Sequence, residues 1–583
     1  MLTKKWHLLP DAPVDIVQHL SRSLDISAVT ALILAQRNII DPKQAKIFLK
    51  PDLHNLAEPH LIPGVPEALN RIEQALRNNE RILVYGDYDV DGITSVVLLK
   101  RFFRLLCREI DFYIPHRLNE GYGLSMKSMD TIAQKGVNLI ITVDCGISNP
   151  DEIAYAKKLG MDVIVTDHHE VPPALPDCIV VNPKLGVYPD SHFLAGVGIA
   201  YKLCWSLMNT FSSAKKNTRV FHDFLMDSIV LVALGTIADV APLTGENRIL
   251  CTYGLEALRQ TRIAGLKALI KQTGLENAII KSDDVAFRLG PRLNAPGRMG
   301  FSRCSAELLL LSDFPSEIEK IEKLVNQIEE YNRERQKIQN KIFKQISATL
   351  EKEFDPLGDK EKNFVICLSD DKWHPGVLGI VASKIADEFY RPVILINTEN
   401  GMGKGSARSI PSFHLYNALN TCRDYFTSFG GHEAAAGFQI PCPRINEFRE
   451  QINLYARKNL KPDDFIPQVR IDTTLDFSQI TRKFMDELRM LSPFGDGNEE
   501  PVFCSHKLRV AGVPKLIGNN LNHLTFFVKQ DGKAFRVIAY NKGSYINLLD
   551  KLKDNPFSLA YTLKLNSWQG KETIELEFVD LKE

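Results

Sequence analysis

Three short apolar runs, each ending in an aspartate, most constrain what this chain can fold into. Arg81-Ile82-Leu83-Val84-Tyr85 leads into Gly86-Asp87-Tyr88-Asp89-Val90-Asp91-Gly92, and Val137 to Val143 leads into Asp144-Cys145-Gly146. Asp162 to Thr166 leads into Asp167-His168-His169. Unbroken apolar runs of this length read as strands buried on both faces, as in a parallel sheet covered by helices. Ile93 to Leu106, after the first run, reads as such a covering helix. Parallel strands deliver their C-terminal ends to one place, and open α/β sheets put their sites there, where the strand order reverses. A single acidic turn between glycines is as readily a solvated loop as a metal site. Three at the same end are not explained that way. Carboxylates brought together repel one another unless cations compensate, and oxygen-rich clusters suit Mg²⁺ or Mn²⁺.

These three segments resemble the first three motifs of the DHH phosphoesterase superfamily. Gly430-Gly431-His432-Glu433-Ala434-Ala435-Ala436-Gly437 resembles the signature of its companion DHH-associated domain. Trp373-His374-Pro375-Gly376-Val377-Leu378-Gly379-Ile380-Val381-Ala382-Ser383 narrows the resemblance to the bacterial single-strand-specific DNA exonucleases of that superfamily. The match runs over nearly the whole chain. It implies an α/β protein in which a DHH-type parallel-sheet domain is joined by a long helix to a smaller α/β DHH-associated domain, with a C-terminal β-barrel (OB-fold). The implied activity is 5′→3′ hydrolysis of single-stranded DNA to 5′-mononucleotides by two-metal-ion chemistry, in recombination and repair.

The resemblance also assigns residues. Asp89, Asp91, Asp144, His168 and Asp239 would hold two divalent ions, Mn²⁺ or Mg²⁺, with Asp144 as the bridge. Asp239 ends the apolar stretch Phe221 to Ala238, where the helix macrodipole disfavours a carboxylate, so something else should hold it there. Asp87 is grouped with the metal residues, and for Asp87 and His169 ligation, support and catalysis all stay open. Arg117, Arg298, Ser406 and Arg408 would anchor the 5′ phosphate, and Gly431 and His432 would serve the scissile one. Single-stranded DNA is the implied partner, with single-strand-binding protein and a RecQ-type helicase beside it. A cytoplasmic monomer is expected.

Composition narrows this little. Lys and Arg number 71 and so do Asp and Glu, giving a formal net charge of +0, so DNA binding would need local basic patches. The ten cysteines include no CxxC pair, which argues against a zinc ribbon or a secreted disulfide framework. Met1 to Pro10 is not followed by the apolar stretch of a signal peptide, and no stretch approaches a transmembrane span.

Along the chain, residues 1–78 read as a helical accessory segment without chemistry, and 79–304 as the DHH domain. Within the latter, Gly290-Pro291-Arg292-Leu293-Asn294-Ala295-Pro296-Gly297-Arg298 reads as a loop too rich in Gly and Pro for a helix, its two arginines suited to phosphate. Residues 305–355 form a connecting helix, with Ile318, Ile321, Val325, Ile328, Ile338, Ile342 and Ile346 on one stripe. Residues 356–460 are the DHH-associated domain. There Gly401-Met402-Gly403-Lys404-Gly405-Ser406-Ala407-Arg408 reads as a phosphate loop outside any dinucleotide-binding context. Residues 461–583 carry about five strand patterns, with hairpins at Asp531-Gly532 and Gln569-Gly570. Phe526 and Trp568 lead the stacking candidates, with Phe527, Phe535 and Tyr540 behind them; alternation puts about half of such aromatics in a core. Two competing functions are a small-molecule phosphoesterase acting on short oligonucleotides or nucleotides, and a non-catalytic single-strand-binding scaffold.

Overall fold

The computed structural model describes the chain except residues 1–3, 118, 189–192, 213–217, 313, 354–363, 553–554 and 569–570. It divides into two compact units, Leu56–Phe465 and a second made of Met1–Asn55 with Ile466–Glu583.

The three apolar runs are the strands Ile82–Gly86, Leu139–Val143 and Asp162–Thr166, almost wholly buried. They belong to a five-stranded sheet in the order Asp111–Tyr113, Ile82–Gly86, Leu139–Val143, Asp162–Thr166, Ile179–Val181. Every pairing is parallel. The order reverses between the first and second apolar strands, so the turn after Gly86 and the turn after Val143 flank the switch point. The helices Val90–Leu105, Gly196–Ser212 and Thr218–Ala238 pack together beside this sheet. Contrary to the sequence reading, one stretch, Arg219–Ala238, is long and apolar enough to cross a membrane by length and composition. Its apolarity is that of a core helix, since 67% of that stretch is buried inside the unit.

The Gly/Pro-rich segment is helical, contrary to its reading as a loop: a π-helical turn over Val285–Leu289 runs into the α-helix Gly290–Arg298. Pro291 follows directly on the π-helical turn and Pro296 lies inside the helix, so the segment stays helical despite two prolines. The glycines serve close approach instead of turns, since a Cβ on Gly297 would lie 2.8 Å from Tyr88 O. The connecting helix spans Pro315–Glu353, burying Ile321, Val325, Ile328, Ile342 and Ile346 of the expected stripe, whereas Ile338 is half-buried and Ile318, in the first turn, is exposed. Beyond it a second five-stranded sheet carries Met402–Arg408 between Val393–Glu399 and Ala435–Pro441. This segment too is not a phosphate loop, because it is a central strand paired on both sides. Gly405 is required there because a Cβ would lie 2.2 Å from the ring of Phe438.

In the other unit, strands Phe503–Ile517, His523–Gln530, Lys533–Ala539, Lys571–Lys582 and Phe557–Trp568 close into a five-stranded barrel through pairing of the first with the last. The Asp531-Gly532 turn has positive φ at both residues, as a tight hairpin needs, and Gln569-Gly570 lies outside the described residues. The N-terminal segment does not stand apart from this barrel. Lys5–Leu8 pairs in parallel with Gln468–Ile471. Leu20, Ile33 and Leu34 share one core with Phe484, Leu488 and Phe503. Glu487 accepts from Ser27 N at 2.9 Å and Thr30 Oγ1 at 2.7 Å. Residues 466–583 expressed alone should therefore aggregate or show only partial structure by circular dichroism, whereas fusing residues 1–55 to them through a flexible linker should restore a cooperative melt. A cooperative melt of the shorter fragment alone would contradict the shared core.

Candidate metal centre

The acidic turns are held by backbone amides, their own and those of neighbouring elements. Asp89 caps the helix Val90–Leu105, its Oδ1 accepting from Asp91 N at 3.0 Å and Gly92 N at 3.1 Å. Asp91 reaches across to the helix Gly196–Ser212 and takes its first amides, Gly196 N at 2.7 Å and Val197 N at 2.8 Å. A helix N-terminus with open amides is a natural seat for a carboxylate. Gly196 is needed for the approach, since a Cβ there would lie 2.8 Å from Asp144 Cβ and 3.0 Å from Asp91 Oδ2. Asp144 has a φ of 60° and Val240, just after Asp239, a φ of 62°. Left-handed backbone is uncommon for Asp and an outlier for Val, so strain is stored beside two of the clustered carboxylates.

The side chains meet in three overlapping groups: Asp87, Asp89 and Asp144; Asp91, His168 and Asp239; and Asp144, His168 and His169. Within each, one donor atom per residue lies within 4.8 Å of the others. His168 Nε2 is 3.1 Å from Asp144 Oδ1, 3.8 Å from Asp239 Oδ2 and 3.9 Å from Asp91 Oδ2. Burial, and then neighbouring carboxylates, push Asp87 and Asp144 well above the usual range, Asp91 to about 7 and Asp239 to about 9. Burial and the neighbouring His169 push His168 down to about 3, so its imidazole is neutral at physiological pH. Asp87 Oδ1, Asp144 Oδ1 and His168 Nε2 are buried without hydrogen-bond partners among the described residues. Buried lone pairs facing one another across 3–4 Å, from carboxylates and a neutral imidazole, fit divalent cations of the Mn²⁺ or Mg²⁺ kind.

Asp167, which the sequence reading left without a role, organises the two histidines. Its Oδ1 accepts from His168 N at 2.8 Å and from His169 N at 3.1 Å, and lies 2.7 Å from His169 Nδ1. Its Oδ2 accepts from Ile147 N at 3.0 Å. Against the opposing effect of burial, the His169 contact holds the Asp167 carboxyl below its ordinary value, and the same contact raises His169. Tyr122, also unremarked in sequence, donates to Asp144 O at 3.2 Å and sets its ring edge-on to His169.

Residues 81–236 match the model of the DHH family, N-terminal domain, residues 361–458 that of the DHHA1 domain, and residues 471–580 that of the RecJ OB domain. The single-stranded-DNA-specific exonuclease RecJ of Bacillus subtilis is 37% identical over 582 residues, covering 99% of this chain and 70% of that protein. Its counterpart in Thermus thermophilus is 32% identical, covering 99% and 78%. The chain belongs to the RecJ family. The crystal structure of Thermus thermophilus RecJ in complex with Mn²⁺ superposes with a TM-score of 0.82 at 30% identity, covering 99% of this chain and 79% of that one. A further structure is of the same Thermus RecJ in complex with Mg²⁺, with a TM-score of 0.77 at 29% identity over 99% of this chain and 78% of that one.

In this RecJ-family chain the basic candidates gather beside the cluster. Arg117 stacks on Tyr88, its guanidinium 4.6 Å from the ring centroid. Arg298 donates to Gly376 O at 3.2 Å, joining the DHH and DHHA1 regions. Burial, then Arg117, Arg335 and Arg408, weaken the hold of Arg298 on its proton, which places these cations together. Ser406 and Arg408 both face Gly379, where a Cβ would lie 2.8 Å from an Arg408 nitrogen and 3.1 Å from Ser406 Oγ. His432 follows Gly431 in an exposed turn. Gly431 is bound to be glycine, with φ 149° and a Cβ position 2.5 Å from Ala435 O. Arg292 is not at this cluster but is paired with Glu329 at 2.7 Å. Phe526 is a correction: it is 2% exposed and fills the barrel core, because the strand's alternation turns its neighbour Phe527 outward at 49% exposed. The side chain of Trp568 lies outside the described residues.

Two outcomes are expected. Asp167→Asn should weaken Mn²⁺ binding about 10–100-fold by calorimetry, the usual cost of losing an orienting partner behind metal ligands. The raised carboxylates hold protons in the folded, metal-free protein that the unfolded chain has released. Their contribution to stability is full below the unfolded value and lost as pH rises through about 7 for Asp91 and about 9 for Asp239. In EDTA the melting temperature of the unit carrying the cluster should therefore fall from pH 7.5 to 9, where His168 is neutral in both states. The increment given by Mn²⁺ should grow over the same range. Asp239→Asn should flatten both trends.

Proposed function

We propose that this chain is a single-strand-specific 5′→3′ DNA exonuclease that hydrolyses phosphodiester bonds to release 5′-mononucleotides, with two divalent ions, Mn²⁺ or Mg²⁺, held by Asp87, Asp89, Asp91, Asp144, His168 and Asp239. The observation that carries this reading is the trio of buried atoms without partners, Asp87 Oδ1, Asp144 Oδ1 and His168 Nε2, at the switch point of a parallel sheet. Divalent ions there supply Lewis-acid neutralisation of the attacked phosphate and a water acidic enough to lose its proton near neutrality. Asp144 and His168 each stand in two of the three groups, and Asp144, with two carboxylate oxygens to offer, would be the residue shared by both ions. Asp167 would fix the tautomer of His169 by accepting from its Nδ1, which turns Nε2 toward the Tyr122 hydroxyl 3.4 Å away.

Arg117, Arg298, Ser406 and Arg408 form the anchor for the terminal 5′ phosphate, which gives the reaction its polarity. His432 brings a hydrogen-bond donor from the DHHA1 region to the scissile phosphate. Strand capture falls to the outer face of the barrel, where Phe527 is exposed and lies opposite Ala511 and Arg536, one pleat from Lys529. An aromatic ring among cations binds bases of any sequence and tracks the backbone. Single-strand-binding protein and a RecQ-type helicase fit as partners of such an enzyme, which would work as a monomer in the cytoplasm.

Incubated with Mn²⁺ and a 5′-phosphorylated single strand labelled at its 3′ end, the wild type should shorten the strand progressively from the 5′ end. Asp144→Ala should lose more than about 100-fold in kcat/KM, beyond the range for an outlying orienting residue. Cleavage of dinucleotides alone would turn the reading to a small-molecule phosphoesterase, and binding without any hydrolysis to a scaffold. Phe527→Ala should weaken single-strand affinity by about 1–3 kcal/mol with the fold intact. Phe526→Ala should instead destabilise the barrel by about 3–5 kcal/mol.

A further inference from the structure

Asn247 lies fully buried in the first turn of the helix Gly245–Leu258, outside the clustered carboxylates. Its Nδ2 donates to Phe193 O at 2.6 Å and to Pro242 O at 3.1 Å. Among the described residues its Oδ1 is buried without a hydrogen-bond partner. A flipped amide would set that oxygen against two carbonyls, so the acceptors fix which end donates. A buried acceptor left unmet is costly. The side chain is therefore oriented for its two donated bonds although its oxygen goes unmet.

The two carbonyls belong to the segments that bring the cluster together from outside the sheet. Phe193 stands three residues before Gly196, whose amide, with that of Val197, holds Asp91. Pro242 stands three residues after Asp239. Between them the chain turns through Val240 at φ 62°, closed by Val240 N on Ile237 O at 3.2 Å and Ala241 N on Thr236 O at 3.1 Å. A left-handed helix end of this kind ordinarily takes glycine. Valine persists in it only where the surroundings hold the turn, and the bond from Asn247 to Pro242 O is such a hold.

There is little slack around Asp91. A Cβ on Gly196 would lie 3.0 Å from Asp91 Oδ2, and a Cβ on Gly235, in the last turn of Thr218–Ala238, would lie 2.7 Å from Asp91 Oδ1. Asp91 is pinched between the start of one helix and the end of the other. Any slip between those two chain segments changes how Asp91 and Asp239 face His168, now 3.9 Å and 3.8 Å away. Glu246, beside Asn247, braces the same arrangement, accepting from Tyr188 Oη at 2.6 Å and from the buried Lys202 of helix Gly196–Ser212.

We propose that Asn247 is a positioning residue for one of the two divalent ions, the one taken by Asp91 and Asp239: its amide ties the segment that holds Asp91 to the segment that carries Asp239. The inference rests on the two-ion reading of the cluster. It does not extend to the ion among Asp87, Asp89 and Asp144, whose turns follow the strands Ile82–Gly86 and Leu139–Val143 and are set by the sheet.

The test titrates Mn²⁺ into the metal-free full chain and counts free ion by electron paramagnetic resonance. The wild type should take up two ions. Asp239→Asn and Asp89→Asn identify which binding step belongs to which ion. Asn247→Leu, which removes both donors, should weaken the step sensitive to Asp239→Asn about 10–100-fold and leave the other within about twofold. If that variant does not fold, Asn247→Ser keeps one donor for the two carbonyls and should weaken the same step about threefold or more. In whichever variant folds, two unchanged steps overturn the proposal. So does equal weakening of both, which is what a general loss of structure would give. A wild type that takes up fewer than two ions overturns the two-ion reading itself and the proposal with it, so the two failures are told apart.

Discussion

Mutual repulsion among buried carboxylates is the constraint on which the rest of this molecule depends. Asp87, Asp91 and Asp144 are each no more than 2% exposed; Asp87 and Asp144 follow adjacent strands, and Asp91 lies in the first turn of the helix after the first of them. The sheet alone would not tolerate that density of negative charge. The fold meets it with backbone amides at a helix N-terminus for Asp91, with the Ile147, His168 and His169 amides for Asp167, and with lone pairs left open where cations fit. The left-handed backbone at Asp144 and Val240 is part of the same account, since such strain persists only where the surroundings over-determine it.

Around this negative centre the same unit sets a positive rim. Arg117, Arg298, Arg335 and Arg408 come from a loop after a strand, a helix, the connecting helix and a strand of the second sheet. Cations from both sheets therefore converge beside the carboxylates without neutralising them. That separation of sign suits a substrate that is itself a row of phosphates, one drawn to the cations and the next to the metals. The long helix, with its apolar stripe buried, fixes the distance between the two sheets that this requires.

Much of this was legible in the sequence, for physical reasons that differ by residue. Uniformly apolar strands ending in Asp announce a parallel sheet and its site, because burial on both faces leaves no alternation and the polar residue can appear only at the end. What escaped is instructive. Gly290–Arg298 and Met402–Arg408 were expected as loops because glycine usually signals backbone freedom, yet Gly297 and Gly405 are present to admit Tyr88 and Phe438, a tertiary cause that local pattern does not carry. Phe526 and Phe527 are adjacent, and only the register of the barrel decides which faces the core. Asp167 was visible as part of its motif, but its work on two histidines through one oxygen is a matter of geometry. Nothing in residues 1–55 marks them as partners of strands more than 400 residues away; Lys5–Leu8 is too short a run to announce its pairing.

The account stands or falls on whether cations complete the carboxylate cluster. The most direct measurement is anomalous diffraction at the manganese edge from crystals of the full chain grown with Mn²⁺. Two peaks are expected, one among Asp87, Asp89 and Asp144 and one among Asp91, Asp144, His168 and Asp239. An ordered cluster without anomalous density, at Mn²⁺ concentrations that support hydrolysis, would contradict it.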